Sequence, residues 1–121
     1  MEMTEMFRRI KEYHKELGYD FEHVELEERT EAIRHGGLAL YQEVSELMDS
    51  FPWKPWRSMI DQTWSNSNAI EEIADCLFFL GFIMEAAWIH PEDVQLVFLE
   101  KLRENYDRIK RGYNNKPEER G

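Results

Sequence analysis

Two pairs of carboxylates have a spacing that suits metal chemistry. Glu43 and Glu46 lie three residues apart in an apolar segment, and Glu72 and Asp75 repeat that spacing further along the chain. Residues three apart on a helix share a face. Four carboxylates therefore converge if the two segments pack antiparallel, and a divalent cation would compensate their repulsion. Ligation by oxygen alone favours Mg²⁺ or Mn²⁺ over zinc, and bound Mg²⁺ usually also contacts phosphates, so the pairs predict a metal site for a phosphorylated substrate.

The competing interpretation of each pair is an ordinary solvated helix face. The chain has 25 acidic residues, so glutamates three apart arise without any site. Each pair also borders an apolar stripe, which would place it at the rim of the core. Spacing alone leaves both interpretations open.

A second polar set lies near the end of the chain. Lys101, Asn105 and Arg108 follow one another at i, i+4 and i+7, on one side of a helix and away from its apolar stripe. Lysine offers a point charge, arginine a bidentate pair of donors and asparagine further donors. This combination suits a polyphosphate. A solvated basic face is the alternative.

Aromatic rings follow closely behind the first carboxylate pair, in the segment FPWKPW at residues 51–56. Trp53 or Trp56 would offer a face on which a nucleotide base stacks for ~1–3 kcal/mol. Lys54 would hold a phosphate or a carboxylate. The alternative is that both tryptophans cap the core of a helical bundle. The four histidines show no metal-binding spacing, and the single cysteine excludes a disulfide within the chain.

Taken in their order along the chain, these motifs resemble those of the all-α nucleoside triphosphate pyrophosphatases. That superfamily comprises MazG-like proteins, dimeric dUTPases and phage dCTPase-dUTPases. Glu43-Val-Ser-Glu46 and Glu72-Ile-Ala-Asp75 are similar to the ExxE…ExxD signature of that superfamily. WKPW resembles a Trp-Lys-x-Trp segment of the dimeric dUTPase branch. KLRENYDRIKRGY resembles the C-terminal motif of the same branch, with matching residues at Lys101, Asn105, Arg108, Gly112 and Tyr113. The N-terminal third carries little of the resemblance.

The resemblance implies a hydrolase that cleaves between the α- and β-phosphates and releases a nucleoside monophosphate and pyrophosphate. It implies an all-α bundle of four to five helices that assembles as a homodimer or homotetramer. The sequence itself predicts one domain over residues 1–113 and a flexible tail over 114–121. Glu43, Glu46, Glu72 and Asp75 would be the catalytic, metal-binding residues for Mg²⁺ or Mn²⁺, with Glu46 also orienting the attacking water. The residues expected to bind the substrate are Lys54, Trp53, Trp56, Lys101, Asn105, Arg108 and Tyr113.

Among nucleotides, the resemblance favours dUTP or dCTP. The same fold serves MazG-like phage enzymes that act on dGTP or dATP, which is the main alternative. A protein of another class, a non-catalytic helical interaction module, would bind no metal. A di-iron carboxylate bundle requires Glu-x-x-His, and that sequence does not occur in the chain.

Helical apolar periodicity runs along almost the whole chain and predicts an all-α fold. The helices are expected from Thr4 to Leu17, from about Glu28 to Asp49, from near Asn68 onward, and from Pro91 to a stop at Gly112.

Three details of these helices are expectations for the structure. Asn68 is a candidate N-cap, with Glu71 and Glu72 in the first turn of the third helix. The pair Gly36-Gly37 marks either a break in the second helix or a close contact. The fourth helix is expected to turn an apolar stripe towards the core, formed by Leu99, Leu102, Tyr106, Ile109 and Tyr113.

Charge and hydropathy exclude some classes of protein. The net charge of −10 argues against a non-specific nucleic-acid binder, which needs a basic surface. The longest apolar run, Cys76–Met84, is far shorter than the ~20 residues of a membrane-spanning helix. The N-terminus is charged and lacks the apolar centre of a signal peptide. These features predict a cytoplasmic protein with neither a nucleic-acid nor a membrane partner.

Overall fold

A computed structural model describes residues 1–112, and the regular structure in that range is helical. The α-helices are α1 (Met3–Glu16), α2 (Leu26–Met48), α3 (Asn66–Ala87) and α4 (Pro91–Lys110), and a short 3-10 turn covers Met59–Asp61. The predicted all-α fold is therefore confirmed, and the bounds of α1 and α2 agree with the sequence prediction to within two residues. Tyr113 and the predicted tail, 114–121, lie outside the described residues.

An antiparallel hairpin of α2 and α3 holds most of the contact between helices. At its loop end, the amide of Ser65 donates to the carbonyl of Ser50 over 2.7 Å. At its open end, the side chain of Arg29 donates to the carbonyl of Ala86 over 2.9 Å. The Arg29 guanidinium also lies 3.5 Å from the centre of the Trp88 ring. Contacts at both ends fix the register of the two helices.

Two glycines let neighbouring helices approach α3 closely. A Cβ added at Gly36 on α2 would lie 2.9 Å from Phe82 Cδ2, and one added at Gly81 on α3 would lie 2.8 Å from Ile10 Cγ2 on α1. The Gly36-Gly37 pair therefore marks a close contact and not a break, since α2 is continuous through it. As a result, α3 packs against both α1 and α2.

We expect Gly81→Ala to lower the free energy of unfolding, although alanine is the better helix former. The gain in helix propensity is ~1 kcal/mol, whereas forcing a methyl group into a packed contact costs ~1–3 kcal/mol. Gly37→Ala is the matched control, because nothing lies within 4 Å of its added Cβ, and it should raise stability. Urea unfolding of both variants measures the difference. Stabilisation by both substitutions would contradict the close packing of α1 on α3.

The third helix begins earlier than the sequence predicted. Ser65 and not Asn68 is the N-cap, and the Ser65 hydroxyl accepts a hydrogen bond from the Asn68 amide over 3.3 Å. Asn68 lies inside the helix, where its side chain donates to the Ser50 hydroxyl over 2.7 Å. Glu71 and Glu72 consequently lie beyond the first turn, so their predicted place there is wrong.

The fourth helix begins at Pro91, as predicted, but its apolar stripe does not face a core within this chain. α4 is bent by 113° from α3, and its main helix contact is with α1. The stripe residues in the described range are 41% to 60% exposed. The prediction that this stripe faces the core was therefore wrong, because no other helix within residues 1–112 covers it. The exposed members are Leu99, Leu102, Tyr106 and Ile109.

Within residues 1–112, no single helix combines the length and the apolar character needed to cross a membrane. Only α3 and α4 taken together, as a sharply bent pair, reach that length and composition.

Candidate metal centre

Three of the four predicted carboxylates lie together between α2 and α3. Oxygen atoms of Glu43, Glu46 and Glu72 all lie within 4.8 Å of one another. Glu43 and Glu72 are partly buried, whereas Glu46 is exposed. Asp75 lies one turn further along α3, is exposed, and is not part of this group. We call Glu43, Glu46 and Glu72 the carboxylate cluster.

Pairing at the loop end of the hairpin brings the cluster together. Ser50 lies seven residues after Glu43, and Ser65 lies seven residues before Glu72. Because Ser50 and Ser65 are joined by a hydrogen bond, the two glutamates reach the same level of the antiparallel hairpin. Ser50 is only 2% exposed, and no sequence pattern pointed to its role.

The electrostatics of the cluster suit a cation. One oxygen of Glu43 and one of Glu72 are buried without a hydrogen-bond partner, which is costly unless a proton or a cation shares them. The neighbouring Glu43 carboxyl, which can share a proton with Glu72, is the largest cause that raises the pKa of Glu72 to about 7, followed by burial and by the charges of Glu43 and Glu46. A bound divalent cation would displace that proton and satisfy the buried oxygens. These carboxylates therefore fit Mg²⁺ or Mn²⁺.

The predicted aromatic and basic contacts lie on the loop between α2 and α3. Trp53 and Trp56 pack edge to face with ring centres 5.4 Å apart, and they are 42% and 69% exposed. They therefore do not cap the core of this chain. The Lys54 ammonium lies 4.0 Å from Asp49 Oδ1, which also accepts a hydrogen bond from the Trp53 indole over 3.2 Å. Lys54 thus neighbours a carboxylate outside the cluster.

Gln62 organises this loop, although nothing in the sequence singled it out. Its side-chain oxygen accepts from the Lys54 amide over 3.1 Å, and its side-chain nitrogen donates to the Lys54 carbonyl over 3.1 Å. The same nitrogen lies 3.3 Å from the Arg57 carbonyl. A single glutamine in a loop has no periodicity, so only the folded chain reveals its role.

The predicted basic set lies on α4, in a different part of the chain from the cluster. Lys101, Asn105 and Arg108 belong to a helix whose main contact is with α1. Arg108 pairs with Glu104 one turn away at 2.9 Å. The contact of these residues with phosphate stays a prediction, and Tyr113 lies outside the described residues.

The fold and the site define an all-helical protein with a carboxylate cluster between two antiparallel helices. The family model described as dUTPase matches residues 2–88, a span that contains α1, α2, α3 and both carboxylate pairs. The chain belongs to this dUTPase family, which implies a nucleoside triphosphate hydrolase. The match includes the N-terminal third and ends before α4. Searches of curated proteins and of solved structures gave no match.

Proposed function

We propose that the protein is a divalent-metal-dependent deoxynucleoside triphosphate pyrophosphohydrolase that converts dUTP or dCTP and water into the monophosphate and pyrophosphate. The observation that carries this proposal is the convergence of the carboxylate cluster within 4.8 Å, in which Glu43 and Glu72 each have a buried oxygen without a hydrogen-bond partner. Family membership supports the class of reaction.

The residues of the cluster differ in exposure, and their proposed roles differ accordingly. Glu43 and Glu72, which are partly buried, would hold Mg²⁺ or Mn²⁺ from two helices. When bound, the metal would neutralise charge on the phosphates and make the attacking water a stronger acid. Glu46, the exposed member, would orient the attacking water. Asp75 would join as a ligand from the next turn of α3.

The substrate contacts are proposed from the sequence motifs. Lys101, Asn105 and Arg108 would bind the phosphates, because charged donors and bidentate donors suit a polyphosphate. Trp53, Trp56 and Lys54 lie on the loop that follows α2 and would contact the nucleotide near the metal. We propose that the enzyme acts in the cytoplasm.

We expect the first products to be a nucleoside monophosphate and pyrophosphate. Each common dNTP and NTP, purine nucleotides included, is incubated with the protein and Mg²⁺, and ion exchange resolves the products. Orthophosphate as the first product, in the absence of any added pyrophosphatase, would exclude the proposed cleavage. Failure to hydrolyse any nucleotide, together with no Mn²⁺ binding in calorimetry, would favour a non-catalytic module.

We expect the protein to be a homodimer or homotetramer. Large apolar side chains are more than 40% exposed along α2, α3 and α4, and an apolar surface of that extent usually marks an interface. Light scattering at micromolar concentration measures the mass, and a monomer would contradict the prediction. Examples of these side chains are Leu38, Tyr41, Ile70, Ile73, Leu99 and Tyr106.

A further inference from the structure

The loop between α2 and α3 is closed at its base by the hydrogen bond from the Ser65 amide to the Ser50 carbonyl. Between these two serines, the backbone hydrogen bonds span only two or three residues each, and the short 3-10 turn, Met59–Asp61, lies in the middle. Within the loop, backbone bonds therefore do not tie the outgoing limb, 51–57, to the returning limb, 62–64.

The side chain of Gln62 supplies the hydrogen bonds between the two limbs. Its oxygen accepts from the Lys54 amide, and its nitrogen donates to the Lys54 carbonyl, each over 3.1 Å. The same nitrogen lies 3.3 Å from the Arg57 carbonyl and 3.4 Å from the Ser58 carbonyl. Gln62 is partly buried. It therefore fixes the outgoing limb at Lys54, where both backbone groups of one residue are bound.

The backbone of Lys54 is suited to this pairing. Pro55 follows Lys54 and biases it towards an extended conformation. In an extended residue the N–H and the C=O point to the same side, so that one primary amide can bind both, as a residue of an antiparallel strand does. Side chains stand roughly perpendicular to that hydrogen-bonding direction. The Lys54 side chain therefore extends away from Gln62.

The Lys54 side chain reaches the end of α2 that carries the carboxylate cluster. Its ammonium lies 4.0 Å from Asp49 Oδ1 and 6.0 Å from the centre of the Trp53 ring. Asp49 has a helical backbone and lies three residues beyond Glu46, so the two carboxylates share a side of the helix. An ion pair of this length between partly exposed side chains contributes little. The ammonium thus remains available to an anion beside the cluster.

We propose that Gln62 is a positioning residue for substrate binding, an inference that rests on the proposed function. Its side-chain amide holds the Lys54 backbone so that the Lys54 ammonium meets the phosphates of a nucleotide at the carboxylate cluster. Gln62 itself makes no contact with the nucleotide. A loop that is fixed in advance loses less conformational entropy when a ligand binds, so Gln62 contributes to nucleotide affinity through Lys54.

The test is a double-mutant cycle between Gln62 and Lys54, measured by calorimetric titration of a non-hydrolysable dUTP analogue in the presence of Mg²⁺. Gln62→Met keeps the length of the side chain but removes its amide, and it should weaken binding about tenfold. Lys54→Ala should weaken binding by at least as much, because it removes a charged donor. In the Lys54→Ala background, Gln62→Met should change the affinity by less than about twofold, because the group that it positions is absent.

Two further measurements separate positioning from damage to the fold. Mn²⁺ titration without nucleotide should give the wild-type affinity in Gln62→Met, since the carboxylates are unchanged. With the preferred nucleotide, this variant should raise KM about tenfold and lower kcat much less. Thr63→Val is the matched control, because Thr63 is the exposed neighbour of Gln62 in the same loop. It should bind the analogue as the wild type does.

Wild-type affinity in Gln62→Met would overturn the positioning role, and so would losses from Gln62→Met and Lys54→Ala that multiply in the double variant. Loss of Mn²⁺ binding in Gln62→Met would overturn it too, because Gln62 would then act on the hairpin and not through Lys54. All three results leave nucleotide hydrolysis standing. A wild-type protein that hydrolyses no nucleotide and binds neither Mn²⁺ nor the analogue would overturn the proposed function as well as this inference.

Discussion

Replacing Glu43 or Glu72 with glutamine should lower turnover of the preferred nucleotide by at least two orders of magnitude. A group that positions a metal or its water contributes on the order of 3 kcal/mol to the barrier, which corresponds to that factor. Both side chains hold a buried oxygen without a protein partner, so an amide in either place removes charge where the cation would lie. Glu46→Gln and Asp75→Asn should have effects of the same order.

The fold should survive these substitutions, since glutamine and asparagine keep the shape of the side chain and relieve repulsion between carboxylates. Glu71→Gln is the matched control, because Glu71 is exposed, neighbours Glu72 and lies outside the cluster. Turnover is measured by product release, and metal affinity by Mn²⁺ titration without nucleotide. Two of the four carboxylate variants with wild-type activity would end the metal-site hypothesis.

The helices and the convergence of the acidic residues could be predicted because local patterns encode them. Apolar periodicity predicted all four helices, and Pro91 begins α4 as the sequence indicated. The i, i+3 spacing predicted a shared face for Glu43 and Glu46, which the hairpin brings within 4.8 Å of Glu72. Asp75, with the same spacing, lies outside that group, because proximity across two helices depends on their register.

Contacts between distant segments could not be predicted from local patterns. Asn68 has the residue type of an N-cap, but Ser65 takes that position, while the Asn68 side chain binds Ser50 across the hairpin. His14 Nδ1 lies 2.8 Å from a carboxylate oxygen of Glu85, 71 positions away along the chain, so no spacing rule links them. The stripe on α4 has the period of a core helix, and only the bend after α3 leaves it exposed.

We expect Arg108→Ala to weaken binding of the nucleoside triphosphate by roughly 10- to 150-fold, which is the effect of losing a charge-assisted contact of ~1.5–3 kcal/mol. Binding of the monophosphate should weaken less, because fewer charged oxygens remain after cleavage. In this chain Arg108 pairs with Glu104, so a phosphate would compete with that carboxylate for the guanidinium. Arg108→Lys should restore little of the affinity for the triphosphate if the arginine contact is bidentate.

Metal and nucleotide titrations separate the role of Arg108 from that of the cluster. Mn²⁺ affinity without nucleotide should barely change in Arg108→Ala. In Glu43→Gln and Glu72→Gln, by contrast, the loss of Mn²⁺ affinity should be the main effect. Arg103→Ala is the matched control, because Arg103 is an exposed arginine of the same helix that lies away from the face shared by Lys101 and Arg108. A non-hydrolysable triphosphate is titrated into each variant. If Arg108→Ala and Arg103→Ala both bind it as the wild type does, the basic side of α4 is a solvated surface, and its match to the C-terminal motif does not reflect phosphate binding.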